Sequence, residues 1–319
     1  MARINHAEHV ISTVESGSVG TRLTASWRRS LKKHGLDPER PVTPRRFSEA
    51  EISERRERLG GFMDLASPKL DQLFQMVGNT GCSVMMTDRD GVVLDQRSKD
   101  ADSDTFQSWG LWTGADWSEE SEGTNGIGTC IAEARQITIH RDEHFLSRNT
   151  VMSCMDAPIF GPDGELIAAL DVSSCRADQT EAYARLISNV VAQTAKQIET
   201  DAFRAAFPKA RIITAPEDRP DGAVLLAVDH DDLIIGATRA ARRAFGLGQG
   251  AHIVPTPASD ILGRDSTVSA LERAERAALK RAIARAGGNV SAAARELGIG
   301  RATLYRRMKR LGIGENGEN

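Results

Sequence analysis

No run of about 18 apolar residues occurs in this sequence, so nothing in it predicts a membrane span. Its first residues, "MARINHAEHVISTVESG", lack the apolar core of a secretory signal, and a cytoplasmic protein is expected. Cysteine is scarce: Cys82, Cys130, Cys154 and Cys175 show no Cys-x-x-Cys spacing and sit in apolar, strand-like surroundings. They read as buried thiols rather than redox or metal groups. A phosphate-binding Gly-x4-Gly-Lys-Ser/Thr is also missing. The nearest approach is "SEGTNGIGTC" (121–130), where Gly123 and Gly128 have the right separation. Thr129 and Cys130 then stand where a cation should meet the phosphates and a hydroxyl the Mg²⁺. Gly126-Ile127-Gly128 fails as a dinucleotide fingerprint as well, because Ile131 occupies the place of the last glycine.

What is present is ordinary globular material. The 319 residues are 40% hydrophobic and 27% charged, enough for two or three domains with buried cores. The net charge of −3 hides a division. Residues 271–314 hold eleven Lys and Arg against three Glu, a balance of +8, and residues 1–270 carry −9. An acidic body with a basic C-terminal module is the asymmetry expected when one domain meets a polyanion.

That basic module has helical periodicity. In "LERAERAALKRAIAR" (271–285), Leu271, Ala274, Ala278, Leu279, Ala282 and Ile283 share a face. Gly287-Gly288 ends this helix. Asn289 or Ser291 can cap a second, "SAAAREL". Gly298-Ile299-Gly300 turns the chain into "RATLYRRMKRL", where Leu304, Met308 and Leu311 point inward. Arg301, Thr303, Tyr305, Arg306, Lys309 and Arg310 are left outside. Two short helices, a glycine turn and a basic outer face make a helix-turn-helix, whose second helix enters the DNA major groove.

The middle of the chain reads as α/β. A helix over "SPKLDQLFQMVG" precedes strands "CSVMMTD" and "GVVLDQR", turned by Arg89-Asp90-Gly91. Thr124 or Asn125 can cap a helix running through "IGTCIAEA". Strand "QITIH" follows, then "VMSCMDAPIF" and "GELIAALDVSS", closed as a hairpin by Gly161-Pro162-Asp163-Gly164. A helix over 180–206 carries the stripe Ala184, Ile187, Val191, Ile198, Ala202. Residues 221–247 read strand, Asp-rich turn, strand, helix, and "PTPASDILGRD" (255–265) reads as a linker. His140 and His144 are four apart, but His140 ends a strand-like run and no third ligand accompanies them, so no metal is expected. Trp109, Trp112 and Trp117 cluster before the glycine stretch and suit core packing or a pocket wall.

Four resemblances follow from these residues. "ALKRAIARAGGNVSAAARELGIGRATLYRRMKRLGI" resembles the Fis-type helix-turn-helix. "SEGTNGIGTCIAEARQITIHRDEHF" and "SCMDAPIFGPDGELIAALDVSS" resemble the GAF sensor domain of acetoin-catabolism-activator (AcoR-like) regulators. "SWRRSLKKHGLDPERP" resembles the helical leader of that family. The 221–247 stretch resembles the opening of a PAS domain, too short here for the full fold. The resemblance implies an α+β chain: helical leader 1–66, GAF-like domain 67–207, PAS-like connector 208–265 and Fis-type helix-turn-helix 266–314. By the resemblance Arg301, Thr303 and Arg306 sit where that family contacts base edges and phosphates; Arg307, Lys309 and Arg310 are better placed for phosphates, and Asn289, Ser291 and Tyr305 are further candidate DNA contacts. Candidate effector-pocket residues are Trp112, Thr124, Asn125, Cys130, His140, His144 and Cys154. Double-stranded DNA, a second copy of the chain, RNA polymerase and a small-molecule effector are the candidate partners, with no membrane, no cofactor and a nucleoid location. AcoR-like activators place an ATPase of about 230 residues before the helix-turn-helix, and this chain has no stretch for one there.

The reading is therefore a ligand-sensing, non-enzymatic DNA-binding regulator that works without ATP hydrolysis. Two alternatives stand beside it: a Fis-like architectural protein whose GAF-like part dimerises, and an enzyme using the GAF cavity, such as a small-molecule sulfoxide reductase. The last requires a cysteine pair able to exchange disulfides.

Overall fold

A computed structural model of the chain describes residues 5–16, 21–41, 44–176, 180–215, 222–248, 250, 253–262 and 270–313. It forms two compact units, Met1–Pro257 and Ala258–Asn319. The first opens with α1 (His6–Glu15) and α2 (Arg22–Arg28), the latter continuing into a wider turn over Arg29–Lys33. Asn5 and Ser48 start α1 and α3 (Glu49–Leu59) with reciprocal capping boxes to Glu8 and Glu51. Helix α4 (Phe62–Val77) begins before the expected boundary at 67 and buries Ala66, Leu70, Leu73 and Val77 along one stripe.

Next come β1 (Cys82–Asp88), β2 (Val93–Arg97), α5 (Asp100–Ser108), α6 (Glu119–Glu122), α7 (Gly126–Glu133), β3 (Ile137–His140), β4 (Ser153–Phe160) and β5 (Leu166–Ser174). The strands build an antiparallel sheet in the order β2-β1-β5-β4-β3. Alternation sends Val84, Met86, Met155, Ala157, Leu170 and Val172 to one face. There they pack on α4 and on α8 (Glu181–Ala206), whose buried stripe includes Ala184, Ile187, Val191, Ala195 and Ile198. The opposite face meets α7, the loop carrying Trp109 and Trp112, Phe106 and Met152.

Past α8, β6 (Arg211–Thr214), β7 (Leu225–Val228), β8 (Leu233–Ala237) and β9 (Thr256–Pro257) form a second antiparallel sheet, with α9 (Arg239–Phe245) packed on β7 and β8. This corrects the reading of 255–265 as a linker. Thr256 and Pro257 pair with Ile234 and Leu233, since proline is tolerated on an edge strand where its missing N–H faces outward. Ala258–Ile261 then forms the short helix α10. Residues 263–265 lie outside the described residues.

The second unit holds α11 (Ala270–Arg285), α12 (Val290–Glu296) and α13 (Arg301–Arg310) around Leu279, Ala282, Ala293, Ala294, Leu304 and Leu311. Leu271 and Ala274 do not join this core, and Leu271 is 79% exposed. Leu271 lies one turn beyond Glu275, which meets α13 through Arg307 and Arg310. Short partner helices cannot cover the start of a longer one.

Candidate functional site

The glycine stretch makes a tight start to α7 rather than a phosphate cradle. Asn125, fully buried, accepts a hydrogen bond from Gly128 N–H at 2.8 Å. Its amide donates to Trp117 O at 3.1 Å and Gly123 O at 2.9 Å. A Cβ on Gly126 would overlap the carboxyl of Asp156, and one on Gly128 would overlap the backbone of Glu119. Helix α7 therefore reaches the sheet closely only because both positions lack a side chain. Thr124 faces the leader: its hydroxyl lies 2.7 Å from Ser26 Oγ. Ser26 donates to Glu119, which Arg29 holds bidentately at 2.7 and 2.9 Å. Glu122, also buried, is met by Arg148 and Asn149. Thr124 and Asn125 thus have their hydrogen bonds supplied by the protein itself.

Beneath α7 the sheet presents an unusual polar floor. Asp156 on β4 and Asp171 on β5 are directly opposed in register and fully buried. Ser173 Oγ donates to Asp171 Oδ1 at 3.2 Å. Both oxygens of Asp156 and Oδ2 of Asp171 have no hydrogen-bond partner among the described residues. Burial, reinforced by the neighbouring carboxyl, pushes Asp156 well above the usual carboxylate range. Burial raises Asp171 to about 7. Two such groups cannot both ionise in a dry setting, so the pair holds a proton. Cys154 lies on the same face, with Sγ 3.2 Å from Ser173 Oγ and 3.5 Å from His144 Nε2. His144 is buried and pushed down to about 4, so its ring is neutral. Trp112, packed over this face, has a buried indole N–H with no partner among the described residues.

Of the residues expected at an effector pocket, then, Trp112, His144 and Cys154 gather at this polar face. Cys130 packs beside it with Ile137, Ile139 and Ala169. His140 is half-buried at the end of β3, its Nδ1 2.7 Å from Ser153 Oγ. Sequence reasoning missed Asp156 and Asp171. Two acids within otherwise apolar strands were the available signal. Burial pushes the thiols of Cys82, Cys130, Cys154 and Cys175 upward, and none carries a disulfide. A raised thiol is a poor nucleophile, which disfavours disulfide exchange.

On the second unit, Asn289 caps α12, its Oδ1 accepting from Ser291 and Ala292 N–H at 3.1 Å. Leu304 anchors α13 inside, while Arg301, Tyr305, Arg306, Arg307, Lys309 and Arg310 are exposed and Thr303 is half-buried. Arg301 lies over the Tyr305 ring at 5.6 Å. Arg307 and Arg310 share Glu275. Exposed pairs of this kind contribute only ~0–1 kcal/mol and can exchange for a phosphate.

Comparison with known proteins identifies both modules. The family model for the GAF domain matches residues 64–198, and that for the bacterial regulatory protein, Fis family, matches residues 270–311. The acetoin catabolism regulatory protein of Cupriavidus necator is 32% identical over 223 residues, covering 68% of this chain and 33% of that protein. The acetoin dehydrogenase operon transcriptional activator AcoR of Bacillus subtilis is 25% identical over 233 residues, covering 73% and 38%. The propane 2-monooxygenase operon transcriptional activator MimR of Mycolicibacterium smegmatis is 28% identical over 178 residues, covering 54% and 29%. The chain thus spans about a third of the length of the relatives it matches. In fold it is similar to a chain of the E. coli DhaR(N)–DhaL complex, with a TM-score of 0.52, 15% identity and coverage of 80% and 85%.

Proposed function

From a chain that joins a GAF domain to a Fis-type helix-turn-helix, we infer a DNA-binding transcriptional regulator whose GAF domain senses a small molecule. The observation that carries this reading is helix α13, anchored by Leu304 and presenting five basic side chains outward from an otherwise acidic protein. Arg301, Thr303 and Arg306 are assigned to base edges and nearby phosphates. Arg307, Lys309 and Arg310 are assigned to phosphates, which set register without reading sequence. The effector is assigned to the face holding Asp156, Asp171, Cys154 and Trp112. Its free acceptors and indole donor suit a small ligand with a hydroxyl beside a carbonyl.

The relatives are named for acetoin and propane 2-monooxygenase operons, and a catabolic operon is accordingly the proposed target. Pairing of two copies through their DNA-binding units, a contact with RNA polymerase and a cytoplasmic, nucleoid-bound location complete the proposal. Among the described residues no helix is long and apolar enough to cross a membrane. No Gly-x4-Gly-Lys-Ser/Thr occurs in the sequence, so switching is assigned to ligand binding rather than ATP hydrolysis. Two dimer states differing in half-site spacing are sufficient for it.

The test has two arms. Arg306→Ala should weaken operator binding at least tenfold, the scale of a lost bidentate base contact of ~1–3 kcal/mol, with an unchanged melting curve. Unchanged affinity at matched salt would remove α13 as the reading helix. A thermal-shift screen of metabolites against the full chain should find one that stabilises by ~2.7 kcal/mol at 100-fold its Kd. A protein occupying many weak genomic sites with no ligand response would instead be architectural.

A further inference from the structure

A crevice of about 580 Å³ lies on the first unit, away from the polar floor under α7. One wall is the end of the β4–β5 hairpin, with Phe160, Asp163, Gly164, Glu165 and Leu166. The other is α9, which contributes Arg239, Arg242 and Arg243. Three arginines meet there on a body whose net charge is −9, against two lining carboxylates.

Arg242 is the unusual member. Its side chain is only 6% exposed, yet it makes no ion pair among the described residues. Main-chain carbonyls hold it instead: Nε donates to Ala237 O at 2.9 Å and Nη1 to Gly250 O. Those two bonds fix the guanidinium plane and leave Nη2 with no protein acceptor among the described residues. A buried cation held by neutral acceptors retains most of its desolvation cost, which an anion would offset. Neither lining acid supplies that charge. Asp163 accepts from the Glu165 N–H at 3.1 Å within its own turn, and Glu165 is exposed. The Arg239 guanidinium lies over the Phe160 ring, 3.8 Å from its centroid, and donates to Ala134 O at 3.3 Å. The mouth of the crevice is therefore part cationic and part apolar.

We propose that this crevice is a second ligand site, taking the oxyanion group of a small carboxylate- or phosphate-bearing metabolite on Arg242 and Arg243. Oxyanions match the planar donors of a guanidinium, and the apolar remainder of such a ligand would lie against Phe160 and Leu166. Its two walls come from the GAF sheet and from the connector sheet's helix. An occupant would hold those two parts together, which gives the connector its own chemical input. This site is separate from the GAF effector face and does not depend on it.

The probes are succinate and inorganic phosphate, titrated into the full-length protein at constant ionic strength set with chloride. Calorimetry and thermal shift should show saturable binding of at least one of them, the difference between the two arms identifying the group. Arg243→Glu reverses an exposed charge at the mouth and should weaken binding tenfold or more, with the far-UV spectrum and the affinity for DNA unchanged. Arg242→Gln should do the same; if it fails to fold, the Arg243 variant alone decides. Non-saturable stabilisation, or equal binding by Arg243→Glu and the parent, overturns the site. Loss of DNA affinity through Arg306→Ala bears only on the regulator reading.

Discussion

At Asp156 a carboxyl faces a second carboxyl across two paired strands, out of reach of water. Each group holds its proton more tightly folded than unfolded. Such a group favours the native state on the acid side. For Asp171 that contribution is lost as pH rises from the unfolded value of ~3.9 through about 7. Glu199, half-buried on α8 and raised to about 7 chiefly by desolvation, acts in the same sense. His144 acts oppositely. Pushed down to about 4 by burial, it costs stability as pH falls from ~6.5 towards that value. Asp156→Asn puts a permanent donor beside Asp171 in place of a titratable carboxyl. Thermal denaturation should show little change at pH 5 and a gain of about 1–3 kcal/mol at pH 8. A loss at pH 8 would mean that the pair is satisfied as it stands. Each aspartate was visible only as a lone acid in its own strand, and strand pairing alone opposes the two.

Among the elements, α7 shows how far local spacing can mislead and still be useful. "SEGTNGIGTC" has P-loop glycine spacing, yet its glycines serve packing. Gly126→Ala would place a methyl group inside the Asp156 carboxyl, forcing helix and sheet apart. It should cost about 1–3 kcal/mol in a chemical-denaturation midpoint, the usual cost of overpacking, and a neutral result would show that α7 shifts freely. Helix starts were legible in advance where a capping side chain announces them, as at Asn125 for α7 and Asn289 for α12. The inward face of α13 was legible too, since Leu304 and Leu311 recur at helical spacing and are buried. Leu271 shares the same stripe on α11 and is nevertheless exposed. Periodicity reports which face a residue is on, and the length of the neighbouring helices decides whether anything covers it.

For the whole molecule the controlling quantity is the division of charge, −9 over residues 1–270 and +8 over 271–314. Binding to non-specific DNA should therefore fall steeply between 50 and 200 mM salt, with a slope of about −0.9 per phosphate neutralised. Lys309→Ala should flatten that slope by about one, as read by fluorescence anisotropy. An unchanged slope would take Lys309 off the phosphate backbone.

The sequence by itself determined the two modules, the basic face of α13 and the charge division. These depend on residue spacing along single elements and on composition, which chain order preserves. Tertiary structure decided the rest. It opposed Asp156 to Asp171, clasped the leader to Glu119 through Arg29 and Ser26, drew Thr256 and Pro257 onto a strand edge, and set Arg242 without an acidic partner beside a crevice. Each of those contacts except the short Arg242 bonds joins residues far apart in the chain. Only strand register and burial bring such residues together and remove the water that would otherwise satisfy them.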